Sequence, residues 1–204
     1  MLSEDIEILL VLSFLLIFGC LNQYSTNFND LPIRNIDFTK NLKPYEGEPI
    51  LIRGTNPAND QKMAESIGYS MYGYSSVDKL NNKKAVNYGI DLLIAMIIIY
   101  SDKVNENGIY GYGASYWYDT HRKPALGAFC RESQNGLLIT FVKPKTAAKR
   151  YFLYENDEIL AINGKKMTKT DDFIVFLEQN RSKNVKISLK RGKNFIEKEV
   201  LLDG

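Results

Sequence analysis

Hydrophobic and polar positions fall into blocks along this chain, and each block predicts an element. Ile8 to Cys20 is an apolar run of about a dozen residues, too short for a membrane-spanning helix of about 20 and suited to a signal-peptide core. Leu21 to Glu48 carries Asn, Ser, Thr, Pro and scattered charges without a period, which predicts a tether. Pro49 to Arg53 predicts a short strand, and Asn56-Pro57 supplies an N-cap and a first-turn proline for a helix reaching Ile67. Gly68 stops that helix. Tyr69 to Tyr74 predicts a strand, Asn82 to Tyr88 a helix, and Gly89 its stop. Ile90 to Tyr100 is apolar apart from Asp91 and predicts a strand buried on both faces, as in a parallel sheet covered by helices. The order β-α-β-α-β assigns residues 46–104 to a small parallel-sheet α/β unit.

The later blocks are shorter and closed by tight turns. Leu126-Gly127-Ala128-Phe129 opens the second half, and Gly127 permits a close backbone approach and a positive φ. Gly136 to Val142 follows as a strand, then Thr146 to Arg150 as a short helix with small Ala147-Ala148. Asn156-Asp157 turns into the strand Ile159 to Ile162, and Asn163-Gly164 is a strong hairpin signal. Thr170 predicts a helix N-cap, with Asp171 and Asp172 in a first turn that favours acids. Phe173, Phe176 and Leu177 share one apolar helix face. Val185 to Lys190 alternates, residues 191–194 turn, and Phe195 to Leu202 returns as a closing strand.

In this order the blocks from Leu126 to Leu202 resemble a PDZ domain of the bacterial kind, the kind appended to periplasmic and membrane proteases and to secretion components. The family usually carries Gly-Asp where this chain has Asn156-Asp157, and Asn tolerates the left-handed conformation that the turn requires. The resemblance implies a fold of α/β plus mostly-β class: the small α/β unit, then a β-sandwich or partly open barrel with two helices. It also implies a mode of binding, in which an extended peptide is added as a strand at a sheet edge. Leu126, Gly127 and Ala128 then correspond to the carboxylate-binding loop, Ala128 to Arg131 with Phe129 to the edge strand, and Ile174 and Leu177 to the groove lining. Thr170 stands at the far end of that groove, while Phe173 and Phe176 face the core. Small Ala128 widens the terminal pocket, which favours an apolar C-terminal residue. Arg122 or Lys123 supplies a cation for the carboxylate, or is only a solvated basic turn.

Before this domain, Gly68-Tyr69, Gly73-Tyr74-Ser75-Ser76 and the Asp91 to Ser101 stretch resemble a type of uncharacterised bacterial protein in which an α/β unit precedes a PDZ domain. No activity accompanies that likeness. The turn at Tyr74-Ser75-Ser76 either offers backbone N–H groups to an anion or packs as a strand-to-helix turn. Asn105 to Trp117 alternates Gly and Tyr and reads as a loop that presents aromatic anchors, or as a hairpin over the first sheet, and Tyr118 to Lys123 completes a connector over 105–123.

Composition narrows the function. With 26 basic and 24 acidic side chains the net charge is +2, and nucleic acid is not an expected partner. The two cysteines, Cys20 and Cys130, have no zinc-site spacing, and no cofactor is expected. The one histidine, His121, lies in the connector away from any nucleophile turn, so a Ser-His-Asp triad is not expected. Cys130 reads as a structural thiol.

Ile17-Phe18-Gly19-Cys20 resembles the lipobox of bacterial lipoproteins, which implies a signal peptide over 1–19, lipidation of Cys20 and a tether over 20–45. Glu4, Asp5 and Glu7 depart from the basic start of exported segments. An uncleaved N-terminal anchor is the other reading. The domains are then 46–104, the connector 105–123, and 124–204. The expected function is a non-catalytic envelope lipoprotein, membrane-anchored through its N-terminus and facing the periplasm, outer membrane favoured, that binds a protein or peptide C-terminus or strand. The alternative is an enzyme or small-ligand receptor with its site near Tyr74, Ser75, Ser76 and Asp91, to which the second domain delivers substrate.

Overall fold

The computed structural model describes residues 45, 47–75, 86–87, 89–90, 92–100 and 113–204. The lipobox with Cys20, the tether, and most of the helix expected over 82–88 lie outside the described residues. Among the described residues no helix is long and apolar enough to cross a membrane.

Two sheets share the chain. The first has the order β1-β3-β4-β2, built from β1 (Ile50–Gly54), β2 (Tyr69–Ser75), β3 (Met96–Tyr100) and β4 (Ala114–Asp119). Helix α1 (Pro57–Ser66) joins β1 to β2. Asn56 caps it: the Asn56 Oδ1 accepts from the N–H of Ala58 at 3.1 Å and of Asn59 at 3.2 Å, satisfying two of the orphan donors of a helix start. Asp60 reinforces the cap from inside, accepting from the backbone N–H of Thr55 and Asn56. Gly68 ends the turn at φ +86°.

The expected parallel sheet is corrected to a mixed one. β1 and β3 run parallel, but β3 pairs antiparallel with β4, and β4 antiparallel with β2. β4 arises from the Gly/Tyr-rich stretch, where Trp117 and Tyr116 face opposite sides of the sheet and both are buried. The strand expected over Ile90 to Tyr100 shortens to Met96–Tyr100. Leu93 turns the chain at φ 56° with its side chain exposed, and an apolar run by itself does not distinguish an exposed turn from a buried strand. Burial on both faces does hold, since Met96 to Ile99 are all buried.

The second sheet has the order β10-β9-β7-β6-β5, with β5 (Ala128–Glu132) at one edge and β10 (Asn194–Leu201) at the other. Between them lie β6 (Leu137–Val142), β7 (Glu158–Ile162) and β9 (Asn184–Arg191), while β8 (Lys165–Lys166) pairs with β7. Asn163 at φ 50° and Gly164 at φ 77° make the hairpin that the Asn-Gly pair predicts. Asn156 takes φ 69° in the turn before β7, and Asp157 beside it meets Arg191 through two bonds of 2.6 and 2.7 Å. Two helices complete this unit, α2 (Ala147–Arg150) and α3 (Thr170–Gln179).

Candidate functional site

β5 is an edge strand, and α3 runs beside it, so the two make the walls of a groove. At one end stands the loop Leu126-Gly127. Gly127 has φ +84°, and a Cβ there would sit 2.4 to 2.5 Å from the Thr146 side chain, so both the conformation and the space require glycine. The loop is tied down on two sides. Lys143 N–H donates to the Gly127 carbonyl and Ala148 N–H to that of Leu126, each at 2.8 Å.

At the other end the helix start departs from the sequence expectation. The N-cap is Lys169, not Thr170, and no cap side chain bonds from within the segment. The carboxylate of Glu132, at the end of β5, does this instead: Oε1 accepts from Thr170 N–H at 3.3 Å and Oε2 from Lys169 Nζ at 2.9 Å. The Lys169 amine holds the Glu132 carboxyl below its usual range. The Thr170 hydroxyl, 1% exposed, has no hydrogen-bond partner, the sole buried side-chain oxygen or nitrogen of that kind among the described residues.

Ala128 and Phe129 are buried on β5, Leu177 is buried on α3, and Ile174 is half-buried against the same core. Phe173 is fully buried and Phe176 half-buried. Cys130 is enclosed too, and burial pushes its thiol far up, away from the thiolate that a nucleophile needs. Arg122 and Lys123 do not stand free beside the loop. Arg122 pairs with Glu178 at 3.2 Å and Lys123 with Asp203 at 3.2 Å. His121 is exposed, its Nδ1 3.9 Å from Asp119.

A model of the PDZ domain family matches residues 119–190. That stretch is a PDZ domain. The groove between β5 and α3 lies within it. Among solved structures the chain is similar to an aminopeptidase N family protein from Idiomarina loihiensis, 25% identical over 39% of this chain, with a TM-score of 0.36; it spans 14% of that protein's length. It is also similar to the HtrA3 PDZ domain bound to a phage-derived ligand, at 14% identity and a TM-score of 0.36, covering 38% of this chain and 83% of that one. The PDZ domain of an SdrC-like protein from Listeria monocytogenes is 23% identical with a TM-score of 0.33, covering 36% and 78%. No curated protein matches the chain.

Two residues at the PDZ groove carried no signal in the sequence. Glu132 looks like a solvated strand-end acid until the sheet sets it against the start of α3. Lys143 reads as a surface lysine, yet its amine is buried among Ile67, Asp119 and the ring of Tyr69, 4.4 Å from the ring centroid. Of the alternative site on the first sheet, Ser76 and Asp91 lie outside the described residues. Tyr74 and Ser75 pair with β4 through the end of β2.

Proposed function

We propose that this chain is a non-catalytic binding protein of the bacterial cell envelope whose PDZ groove takes up a protein C-terminus or an extended strand. The observation that carries this reading is the edge strand β5 set against α3, with the Gly127 loop at one end of the groove. A strand edge offers main-chain donors and acceptors to any extended peptide, and side-chain pockets then select among peptides. Ala128 and Leu177 make the terminal pocket apolar, and burying one Leu or Phe there contributes about 1.5–3 kcal/mol. Arg122 and Lys123 are engaged with Glu178 and Asp203, which favours the loop backbone over either cation as the partner of the terminal carboxylate.

The lipid anchor belongs to the same proposal. It rests on the apolar stretch 8–20 and on the small residue before Cys20. Cys20→Ala is expected to release the protein from the membrane fraction or to leave its precursor uncut. For the groove, a C-terminal peptide library is measured against free and amidated forms. Free peptides ending in an apolar residue are expected to bind more tightly. Equal binding of amidated peptides, or a preference for charged terminal residues, would remove the C-terminus from the proposal.

A further inference from the structure

A helix of the chain itself lies against this groove. Helix α1 of the first unit packs against both walls, β5 and α3. Ala128, Phe129 and Cys130 are consecutive on an edge strand, yet each is 1% exposed. Successive strand residues point to opposite faces, so both faces of β5 are covered. One belongs to the core of the second sheet, and α1 lies against the strand on the open side of the groove.

Polar bonds fix α1 at both ends of the groove. Near the start of α3, Lys62 Nζ meets the Asp171 carboxylate at 2.8 Å. At the loop end, Lys143 Nζ donates to the Ile67 carbonyl at 3.1 Å, and Lys143 N–H bonds Gly127. Thr120 then donates to the Gly68 carbonyl through its N–H at 3.0 Å and its hydroxyl at 2.7 Å. The helix thus runs lengthwise, from the Asp171 end to the Gly127 end. Its own sequence, Pro-Ala-Asn-Asp-Gln-Lys-Met-Ala-Glu-Ser, is mostly polar, with Asp60, Met63 and Ala64 as its buried residues. Thr170, the first residue of α3, keeps a buried hydroxyl without a hydrogen-bond partner in this arrangement.

We propose that α1 is a cis cap on the PDZ groove. The resting chain holds the groove shut, and a peptide enters when the first unit swings off about residues 120–124, exchanging the Lys62–Asp171, Lys143–Ile67 and Lys143–Asp119 bonds and the apolar packing of Met63, Ala64 and Ile67 for contacts with the incoming strand. This rests on the peptide-binding reading above. A closed groove lowers the apparent affinity by the fraction of molecules that are open, so any change that loosens α1 tightens peptide binding.

The test uses the full chain and a fluorescein-labelled decapeptide library with free carboxylates and apolar terminal residues. Lys62 and Asp171 are both more than half exposed, so their substitution leaves the fold intact. Lys62→Glu sets two like charges against each other and is expected to raise apparent affinity ~2- to 5-fold, the scale of an exposed pair. The swap Lys62→Glu with Asp171→Lys restores the attraction and is expected to return affinity to the starting value. Amide exchange of Phe129 to Glu132 is read in the same samples and is expected to accelerate only in the single variant. If the peptides bind and Lys62→Glu changes neither affinity nor exchange, α1 is no cap, while the peptide-binding reading stands. If exchange accelerates in Lys62→Glu but no form binds any peptide, the cap is real and the peptide-binding reading falls. If neither exchange nor binding responds, the cap is overturned.

Discussion

Lys143 Nζ lies 2.9 Å from Asp119 Oδ1, and the same amine donates to the Ile67 carbonyl, so one buried lysine joins the end of β6, the end of β4 and the last turn of α1. A buried ammonium is tolerable only with such partners. It ties the two units together at the loop end of the groove while α1 is in place. Lys143→Met keeps the apolar stem and removes the charge, leaving the Ile67 carbonyl and the Asp119 carboxylate short of a donor. The expected loss is about 1–3 kcal/mol in urea unfolding, with Asp119 partly exposed and so cheaper to abandon than a fully buried acid. Unchanged stability would mean that the amine contributes nothing to the junction.

Two glycines with positive φ separate strain from crowding. Gly164 at φ 77° has nothing within 4 Å of an added Cβ, so Gly164→Ala is expected to cost only the left-handed penalty of about 1–2 kcal/mol. At Gly127 the same substitution adds a collision with Thr146, and a further loss of about 1–3 kcal/mol is expected, together with weaker peptide binding. Thermal or urea unfolding of the two variants checks the order. Equal losses would show that Thr146 moves aside freely.

The unsatisfied hydroxyl of Thr170 gives a prediction of the opposite sign. Thr170→Val removes a buried oxygen without a partner and keeps the β-branched shape, so stability is expected to rise by about 1 kcal/mol. A loss of stability would show that the hydroxyl has a partner in solution.

Asp203 sets an acid limit on the fold. It is 4% exposed, and burial by itself pushes its carboxyl up. The bonds from Arg150 at 2.6 Å, Lys123 and the Ala147 N–H outweigh that push, and the net shift is below the ordinary 3.8. A folded value below the unfolded one means that the unfolded chain binds more protons between the two. The contribution is complete above pH 3.8 and disappears as pH falls through the lower folded value. Urea midpoints are therefore expected to fall on acidification below about pH 4, and Asp203→Asn to flatten that slope. An unchanged slope in the variant would assign acid sensitivity elsewhere, to Glu178 or Glu132.

Local signals in this sequence were legible because their physics is local. Asn56 ahead of Pro57, Gly68 after Ile67, and Asn163-Gly164 each specify one turn or cap, and the structure has all three. The PDZ blocks were legible for the same reason, as short strands separated by tight turns. Long-range placement was not. Nothing in residues 57–66 indicates that this helix lies in a groove formed more than 60 residues later. β4 was obscured by its composition, since Ala-Ser-Tyr-Trp-Tyr-Asp shows neither a clean alternation nor an apolar run; it is a central strand because Trp117 and Tyr116 fill opposite faces. The pairing direction of β3 follows from that insertion and not from its own residues. Glu132 replaced Thr170 as the cap of α3 for a similar reason, because a carboxylate on a neighbouring strand has no fixed sequence offset from the helix that it caps.

The central claim is that peptides bind between β5 and α3. Amide chemical-shift mapping of the full isotope-labelled chain, titrated with a decapeptide that ends in a free apolar residue, tests it most directly. The account predicts shifts concentrated at Gly127 to Glu132 and Thr170 to Leu177, with accompanying shifts in Lys62 to Ile67 as α1 yields. Saturable binding whose shifts fall on the first sheet away from α1, leaving Gly127 to Glu132 unmoved, would contradict it.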